Sequence, residues 1–159
     1  MIEIPNFSIV IIKENYFLSR PELMIEANTK SSRIYLGLNF HIHGKNFVIP
    51  FESNLYKSVQ LEKISQYPSP ISSRPNAGIN FEKCLIINDV EDIKEIIPLD
   101  ESKIANEQKN EIKNNELDII TRFNYYINNF IKSCNKGREK EEFIFKYSTL
   151  HFFKDELLS

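Results

Sequence analysis

Ten residues of strict alternation constrain the fold of this chain more than any other feature. In residues 33–42 (RIYLGLNFHI) every second side chain is apolar. Because successive side chains of a β-strand point to opposite faces, this pattern predicts a strand with one face in the core. His43, Gly44 and Lys45 supply a turn, and residues 46–53 (NFVIPFES) are predicted to return as the second strand of a β-hairpin.

The second strand of the hairpin is predicted to be irregular near its end. Pro50 has no N–H for a sheet ladder, so we expect it at an edge or a bulge, where strands commonly re-aim side chains. Ser53 follows just after this point. Arg33 begins one strand and Ser53 ends its neighbour, so a hairpin closed near Gly44 brings the two to the same end of the sheet.

The other strand signals lie on either side of the hairpin. Residues 7–13 predict a buried first strand, and residues 14–27 predict helix with a break or a first turn at Pro21. Residues 67–77 (YPSPISSRPNA) hold three prolines and three serines, which predicts a long loop. Two more short strands are predicted at residues 81–88 and 93–97.

The final third of the sequence predicts helices. Residues 107–132 carry apolar side chains at helical spacing, as in one long amphipathic helix or two in series, ended by Gly137. Ser148 or Thr149 is expected to open a short last helix over residues 150–158. The order of elements predicts an α+β fold with a strongly twisted antiparallel sheet, and the length fits a single domain over residues 1–159.

Charge and hydropathy exclude several classes of protein. The formal net charge is -2 and the pI is about 6.0, which argues against a protein that coats RNA or DNA without regard to sequence. A nuclease stays possible, since a site needs only a few local cations. The sequence has no apolar run of about 18 residues and no signal-peptide pattern at its start, so we expect a cytoplasmic protein with no membrane partner.

Two constellations of side chains invite a functional interpretation. His41 and His43 form an H-x-H that suits a metal ligand pair or an acid/base pair, as in a phosphoesterase, but no third ligand accompanies them. A solvent-exposed strand end is the preferred interpretation, and neither a metal nor a cofactor is expected. Cys84 and Cys134 are far apart in the sequence and form no pattern such as C-x-x-C, so neither a disulfide nor a zinc site is indicated. Both are interpreted as ordinary thiols.

A group of aromatic residues near the end of the long helical segment allows two roles. Such side chains stack bases in proteins that bind nucleic acid, and they also fill cores. Their helical spacing favours core packing. The group consists of Phe123, Tyr125, Tyr126 and Phe130.

The hairpin sequence over residues 33–54 (RIYLGLNFHIHGKNFVIPFESN) resembles the signature of the ToxN, AbiQ, CptN and TenpN toxins of type III toxin–antitoxin systems. In that signature a basic residue precedes an aromatic-apolar-Gly strand, a short turn with Gly follows, and the partner strand ends in Pro-x-Thr/Ser-Ser. Residues 93–104 are similar to a later family strand that ends in Ile-Pro, and residues 147–158 to the closing helix. The TenpN branch is the most similar.

The resemblance implies a fold, an activity and a partner. Members of this family have a twisted, partly open β-barrel akin to Kid and MazF, surrounded by helices. They are endoribonucleases that need no metal, cleave mRNA and their own repeated RNA antitoxin precursor, and leave 2′,3′-cyclic phosphate and 5′-hydroxyl ends. A small RNA pseudoknot inhibits them in a closed toxin–RNA hetero-oligomer. Growth arrest and phage defence are the implied roles, and DNA is not an expected partner.

The resemblance also carries catalytic residues to this chain. Ser53 matches the active-site Ser of the family, and Arg33 matches the basic residue that faces it. Glu52 stands where the family has Thr or Ser, and is a candidate carboxylate base. Lys57 represents the family's lysine with an altered spacing, and Tyr16 lies where the family has an N-terminal active-site Tyr. Candidates for the proton transfers are Tyr16, Lys57 and Glu52, in that order.

Three further cations are expected to contact RNA: Lys30, Lys45 and Arg74. The alternatives left open are the H-x-H phosphoesterase and a non-catalytic module of the same barrel. That module would bind RNA or protein through the loop over residues 67–77.

Overall fold

An antiparallel sheet of seven strands, with five α-helices, makes up the described parts of the chain in this computed structural model. The described residues are 2–26, 35–55 and 64–159. The strands are β1 Ile9–Ile12, β2 Tyr35–Ile42, β3 Lys45–Glu52, β4 Gln66–Pro68, β5 Gly78–Asn80, β6 Leu85–Ile86 and β7 Ile93–Ile97. The helices are α1 Glu14–Leu18, α2 Pro21–Glu26, α3 Asn106–Asn114, α4 Glu116–Asn135 and α5 Lys154–Leu158. The predicted α+β class is confirmed.

The strand order places the hairpin in the middle of the sheet. It runs β4-β5-β3-β2-β1-β7, and β6 pairs with β3 off this path. All of these pairs are antiparallel. Within the described residues β4 and β7 are the two ends and do not pair with each other, so this sheet is open. It therefore differs from a closed barrel, in which every strand has two neighbours.

The β2–β3 hairpin forms as the alternation predicts. Its register runs from the pair Gly37–Pro50 to the pair Ile42–Lys45. The turn consists of His43 and Gly44, whose φ angles are 55° and 74°. Two successive positive φ angles are typical of the two-residue turn whose twist matches the flanking strands. The first residue of the predicted strand, Arg33, lies outside the described residues.

Both faces of β2 are buried, so the prediction of one buried face is wrong. One face packs on α4, where the Phe123 ring lies 5.5 Å from Phe40 and 5.3 Å from Phe47. On the other face Asn39 is fully buried, and its side-chain Nδ2 donates a hydrogen bond to the Ile4 carbonyl over 3.0 Å. The segment before β1 covers this second face at Asn39, and α1 covers it at Tyr35, whose ring lies 5.2 Å from that of Phe17.

Pro50 occupies an interior strand, where the sequence predicted an edge or a bulge. β3 pairs with β2 on one side, while on its other side it pairs with β6 at Phe47–Val48 and with β5 at Phe51–Glu52. Pro50 falls between these two short partners, at a position that neither β5 nor β6 pairs with. A residue without an N–H is tolerated there because no ladder bond is lost on that side. The register irregularity of the sheet lies between β1 and β7 instead.

Several helix boundaries are confirmed. Pro21 is the first residue of α2, and the long helical segment is two helices in series, α3 and α4. Gly137 follows the end of α4 with a φ of 68°, and Arg138 N donates to the Ser133 carbonyl over 2.8 Å. Ser148 Oγ accepts a hydrogen bond from Leu150 N over 3.2 Å. The last helical segment begins there as a 3₁₀ helix, Thr149–Phe153, and continues as α5.

The segment over residues 67–77 is only partly the loop that was predicted. Tyr67 and Pro68 belong to β4, and the rest is fastened to α3. Gln108 Nε2 donates to Ser69 Oγ over 2.9 Å, and both the N–H and the hydroxyl of Ser72 donate to Glu107 Oε2, over 3.0 and 2.9 Å. The strand predicted over residues 81–88 is interrupted, because a 3₁₀ turn at Phe81–Lys83 precedes the two-residue β6.

Core packing is confirmed for most of the aromatic group on α4. Phe123, Tyr126 and Phe130 are fully buried. Tyr125 is 62% exposed, so the core role predicted for it is wrong. Cys84 is buried and Cys134 half-buried, both as free thiols.

Candidate active site

Three strand ends meet on one side of the sheet. Ile12, the last residue of β1, pairs with Tyr35, the first residue of β2. The register that pairs Gly37 with Pro50 places Tyr35 opposite Glu52, the last residue of β3, when it is continued by two residues. Ser53 follows Glu52 directly. We call this side, defined by Tyr35, Glu52 and Ser53, the Ser53 end of the sheet.

Ser53 is an exposed residue on a strand end that is held from both sides. The last two residues of β3, Phe51 and Glu52, pair with Ile79 and Gly78 of β5. Just beyond the strand, Leu55 N donates to the Asn76 carbonyl over 2.8 Å. Ser53 itself lies in a bend and is exposed to solvent. Its hydroxyl is therefore accessible, while the backbone on either side is fixed by main-chain hydrogen bonds.

Glu52 is oriented by a buried amide from a different strand. Its Oε1 accepts a hydrogen bond from Asn80 Nδ2 over 3.1 Å. The other side-chain atom of Asn80, Oδ1, accepts from Glu82 N over 3.1 Å and caps the 3₁₀ turn. Because both groups of the amide are engaged, Asn80 holds the half-exposed carboxylate of Glu52 in one orientation. The sequence indicated Glu52 but not Asn80, whose Asn-x-Glu capping pattern is the only local signal.

Tyr35 forms a buried wall of the Ser53 end. Its hydroxyl donates to the Lys83 carbonyl over 3.2 Å, and its ring lies 5.2 Å from that of Phe17 on α1. Burial raises the pKa of Tyr35 well above its usual range, with smaller contributions from Cys84, Tyr16 and Glu52. A phenol in this setting stays protonated, so Tyr35 shapes the site without exchanging protons.

Tyr16 lies on α1, but its hydroxyl points into the core. The side chain is 1% exposed, and the hydroxyl donates to the Ile86 carbonyl over 3.0 Å. Burial raises the pKa of Tyr16 well above its ordinary value, although the nearby Arg20 opposes this. The role in proton transfer expected for Tyr16 finds no support in this placement, because a sequestered, main-chain-bonded hydroxyl has no route to a substrate.

The two predicted RNA-binding cations that the structure describes, Lys45 and Arg74, lie apart from each other. Lys45 begins β3 beside the turn, with its Nζ 3.5 Å from the His43 carbonyl, and so lies at the opposite end of the hairpin from Ser53. Arg74 is exposed in the loop after β4, two residues before Asn76, which contacts the chain just beyond Ser53. Three other predicted residues lie outside the described part of the chain: Lys30, Arg33 and Lys57.

The two histidines of the H-x-H are engaged with asparagine side chains at the turn end of the hairpin. His41 Nδ1 lies 2.8 Å from Asn46 Oδ1, and His43 Nε2 lies 3.1 Å from Asn128 Oδ1. Among the described residues, no group of three or more His, Cys, Asp or Glu side chains is arranged to hold a metal ion.

Comparison with protein-family models, with curated proteins and with solved structures finds no match to this chain. No helix in the part of the chain that the structure describes has the length and apolar character needed to cross a membrane.

Proposed function

We propose that this protein is a metal-independent endoribonuclease toxin of the ToxN type, inhibited by an RNA antitoxin. The observation that carries the proposal is that two neighbouring residues at a fixed strand end supply an exposed hydroxyl, on Ser53, and a carboxylate that Asn80 orients, on Glu52. RNA is proposed as the substrate of these two residues because the hairpin resembles the family signature. A Kid/MazF-like sheet and a cytoplasmic location belong to the same proposal.

The proposed reaction is an attack within the RNA strand. The ribose 2′-oxygen forms a bond to the adjacent phosphorus, the bond from phosphorus to the 5′-oxygen breaks, and a 2′,3′-cyclic phosphate and a 5′-hydroxyl result. The 2′-hydroxyl gives its proton to a base, and the leaving 5′-oxygen takes one from an acid. Each such proton transfer contributes on the order of 10² to 10⁴ in rate when a side chain assists it.

The placement of Tyr16 changes the order of the candidates for these proton transfers. Glu52 becomes the first candidate for the base, because its carboxylate is half-exposed, is oriented by Asn80 and belongs to the residue next to Ser53. Ser53 donates a hydrogen bond to a phosphate oxygen. Arg33 is proposed to neutralise the charge that develops on the phosphate, since its planar fork of N–H groups matches two oxygens. Lys57 is proposed as the acid for the leaving oxygen.

A cleavage assay on total RNA tests the activity. The purified protein should cut RNA in the presence of EDTA, and the fragments should carry 2′,3′-cyclic phosphate and 5′-hydroxyl ends. Cleavage only with Mg²⁺, or 5′-phosphate ends, would contradict the mechanism. Binding of RNA without any cleavage would favour the non-catalytic module.

Growth of cells that express the protein tests the site. Expression should arrest growth, and Ser53→Ala, Arg33→Ala and Glu52→Gln should each relieve the arrest. Glu95→Gln, which removes an exposed charge on β7, serves as the matched control and should remain toxic. Full toxicity of both Ser53→Ala and Arg33→Ala would rule out this assignment. Replacing His41 and His43 together should leave the activity intact, whereas an H-x-H phosphoesterase would lose it.

The proposed partners are target mRNA and a repeated pseudoknot RNA that forms a closed assembly with the toxin. RNA made from the DNA just upstream of the coding sequence should bind the protein and block cleavage. Native mass spectrometry of that mixture should show several copies of each component in one particle. If the mixture contains only free protein and free RNA, with no complex of the two, the result would argue against an RNA antitoxin.

A further inference from the structure

A cleft of about 360 Å³ separates residues 19–23 from the C-terminal helical segment. Its floor is apolar, formed by the buried side chains of Leu23 and Phe153. Its rim is exposed and includes Arg20, Glu22, Phe152 and Glu156. A concave apolar floor with a few polar groups at the rim is the usual form of a small-ligand site, and this volume falls within the range of such sites.

Arg20 is held in a fixed orientation at the rim. Its Nη1 donates to the Tyr16 carbonyl over 3.0 Å and to Ser19 Oγ over 3.1 Å. The guanidinium carbon lies 4.0 Å from the centre of the Tyr16 ring, as in a cation–π contact. These interactions occupy one edge of the planar group, and its remaining N–H donors are not used by them. A guanidinium that is oriented beforehand loses little entropy when it binds a ligand.

The carboxylates of the rim do not neutralise Arg20. Among the ion pairs of the described residues, none joins Arg20 to Glu22 or to Glu156, although all three side chains line the cleft. The cleft therefore presents hydrogen-bond donors from Arg20 on one part of its rim and hydrogen-bond acceptors from the two carboxylates on another. Phe152, whose side chain is 42% exposed, adds a flat apolar surface between solvent and the floor.

We propose that this cleft binds a guanine base of RNA. Guanine is flat, and its O6 and N7 are adjacent acceptors that suit the N–H fork of Arg20. Its N1–H and N2–H are adjacent donors that suit the two oxygens of a carboxylate, from Glu156 or Glu22. Of the four RNA bases, guanine is the one with a pair of acceptors on one edge and a pair of donors on the next. The ring would stack on Phe152, as bases do on exposed aromatic side chains.

The cleft is connected to the Ser53 end by a row of packed aromatic rings. Arg20 lies on Tyr16, the Tyr16 ring is 5.2 Å from Phe17, and Phe17 is 5.2 Å from Tyr35. These buried rings set the separation of the two sites, and an RNA strand with its guanine in the cleft would span that separation on the surface to reach Glu52 and Ser53. This step rests on the proposed function, since it takes RNA as the substrate, and it assigns to the cleft the choice of a base that flanks the cleaved bond.

Binding of nucleoside monophosphates to the full chain tests the cleft directly. GMP should bind about tenfold or more tightly than AMP, CMP or UMP, because each good bidentate contact discriminates by about 1–3 kcal/mol. IMP, which lacks the N2 amino group, should bind less tightly than GMP. Titration followed by NMR or calorimetry gives all five affinities. Equal binding of the five nucleotides, or no binding of GMP, would overturn the proposal.

Variants of the rim show whether GMP occupies this cleft. Arg20→Ala and the double variant Glu22→Gln/Glu156→Gln should each weaken GMP binding about tenfold or more, while Glu95→Gln should not change it. Since Arg20 also contacts Tyr16, Phe152→Ala provides a second variant that leaves those contacts in place, and it too should weaken binding. Unchanged GMP affinity in the double variant and in Phe152→Ala would place GMP elsewhere and refute the site.

The outcome for the cleft and the outcome for the nuclease are separable. GMP discrimination that depends on the rim, in a protein that cuts no RNA, would retain the cleft and refute the proposed function. The opposite result has two parts: the wild type and the Glu22→Gln/Glu156→Gln variant cut RNA with the same sequence preference, and the protein does not distinguish GMP from the other nucleotides. That result would retain the proposed function and refute the cleft.

Discussion

The side chain of Asn46 binds the main chain of Ile4: Ile4 N donates to Asn46 Oδ1 over 3.1 Å. The same amide donates through Nδ2 to the Ile2 carbonyl over 2.7 Å. Asn46 is fully buried on β3, and together with Asn39 it takes the place of the ladder bonds that a strand would supply to this first segment. The segment lies on the sheet without being a strand of it.

Asn46→Ala should therefore lower the free energy of unfolding substantially. It leaves the buried N–H of Ile4 and the half-buried carbonyl of Ile2 without these partners, which costs roughly 2–3 kcal/mol for the two. Urea unfolding measures the loss, and hydrogen exchange of the Ile4 amide should become faster than in the wild type. Asn114→Ala, at an exposed position at the end of α3, is the control and should change stability little. A loss no larger than that of the control would show that the amide does not hold the segment.

Gly37→Ala should disrupt the hairpin because β3 passes too close to admit a methyl group. A Cβ at Gly37 would lie 2.6 Å from the Ile49 carbonyl oxygen and 2.7 Å from Val48 Cγ1. We expect a loss of roughly 3 kcal/mol, at the upper end of overpacking effects, together with reduced activity.

Gly44→Ala is the matched comparison for the Gly37 variant. A Cβ at Gly44 has no atom within 4 Å, and the only strain is the φ of 74°. Its loss should be about 1 kcal/mol, with activity unchanged. Thermal or urea unfolding of the two variants gives the difference, and equal losses would contradict the close approach of the two strands.

Asn80→Asp should lower the rate of RNA cleavage. The new carboxylate keeps the acceptor that caps the Glu82 N–H, but it puts a negative charge beside Glu52 where the amide donated a hydrogen bond. Because like charges repel, the carboxylate of Glu52 should leave its orientation, and kcat/KM should fall on the order of tenfold or more. Asn80→Ala, which removes the hydrogen bond and the cap together, should lower activity and stability. Cleavage by Asn80→Asp at the wild-type rate would show that Asn80 does not orient a catalytic group.

Tyr67→Phe should alter the response of stability to high pH. Burial, and then the 3.1 Å hydrogen bond from the Tyr67 hydroxyl to Asp118, raises the pKa of Tyr67 from 10.0 to about 12. Since the folded state has the higher pKa, this stabilisation is complete below pH 10 and is lost as the pH rises through about 12.

The Phe variant should accordingly be less stable than the wild type near neutral pH, by about 1 kcal/mol, and this gap should shrink between pH 10 and 12. Urea midpoints measured across that range provide the test. Tyr125→Phe, at an exposed ring, should track the wild type throughout. A gap that stays constant with pH would show that Tyr67 titrates alike in the folded and unfolded chain.

Features determined within a few residues could be predicted from the sequence. The alternation of β2, the turn at Gly44 and the start of α2 at Pro21 each follow from local backbone preference. The positive φ at Gly137 and the hydrogen bond that Ser148 accepts at the start of the last helical segment also follow from local preference. These elements are correct because no distant part of the chain competes with the local preference.

The features that were missed depend on partners far away in the sequence. Asn39 is buried by contact with Ile4, and Pro50 is tolerated on an interior strand because β5 and β6 each pair with only part of β3. Periodicity records which side chains share a face of a strand, and it does not record whether a later or earlier segment covers that face. Sequence reasoning therefore placed too few residues of β2 in the core.

The candidate site divides in the same way. Glu52 and Ser53 are neighbours in the sequence and lie together at the strand end, as predicted. Asn80 joins them from a separate strand, and no sequence pattern near residue 52 indicates this contact. Tyr16 had the expected position in the sequence, but the direction of its hydroxyl is decided by packing against β6.

The place of β1 in the sheet has a consequence for synthesis of the protein on the ribosome. β1 lies between β2 and β7, and the core includes Leu150 and Phe153 from the last helical segment. Strand pairs with large sequence separation form slowly, since a long loop must close before they gain any contact. We expect β1 to stay unpaired on one side until β7 has left the exit tunnel, and the core to be completed only after Leu150 and Phe153 have left it as well.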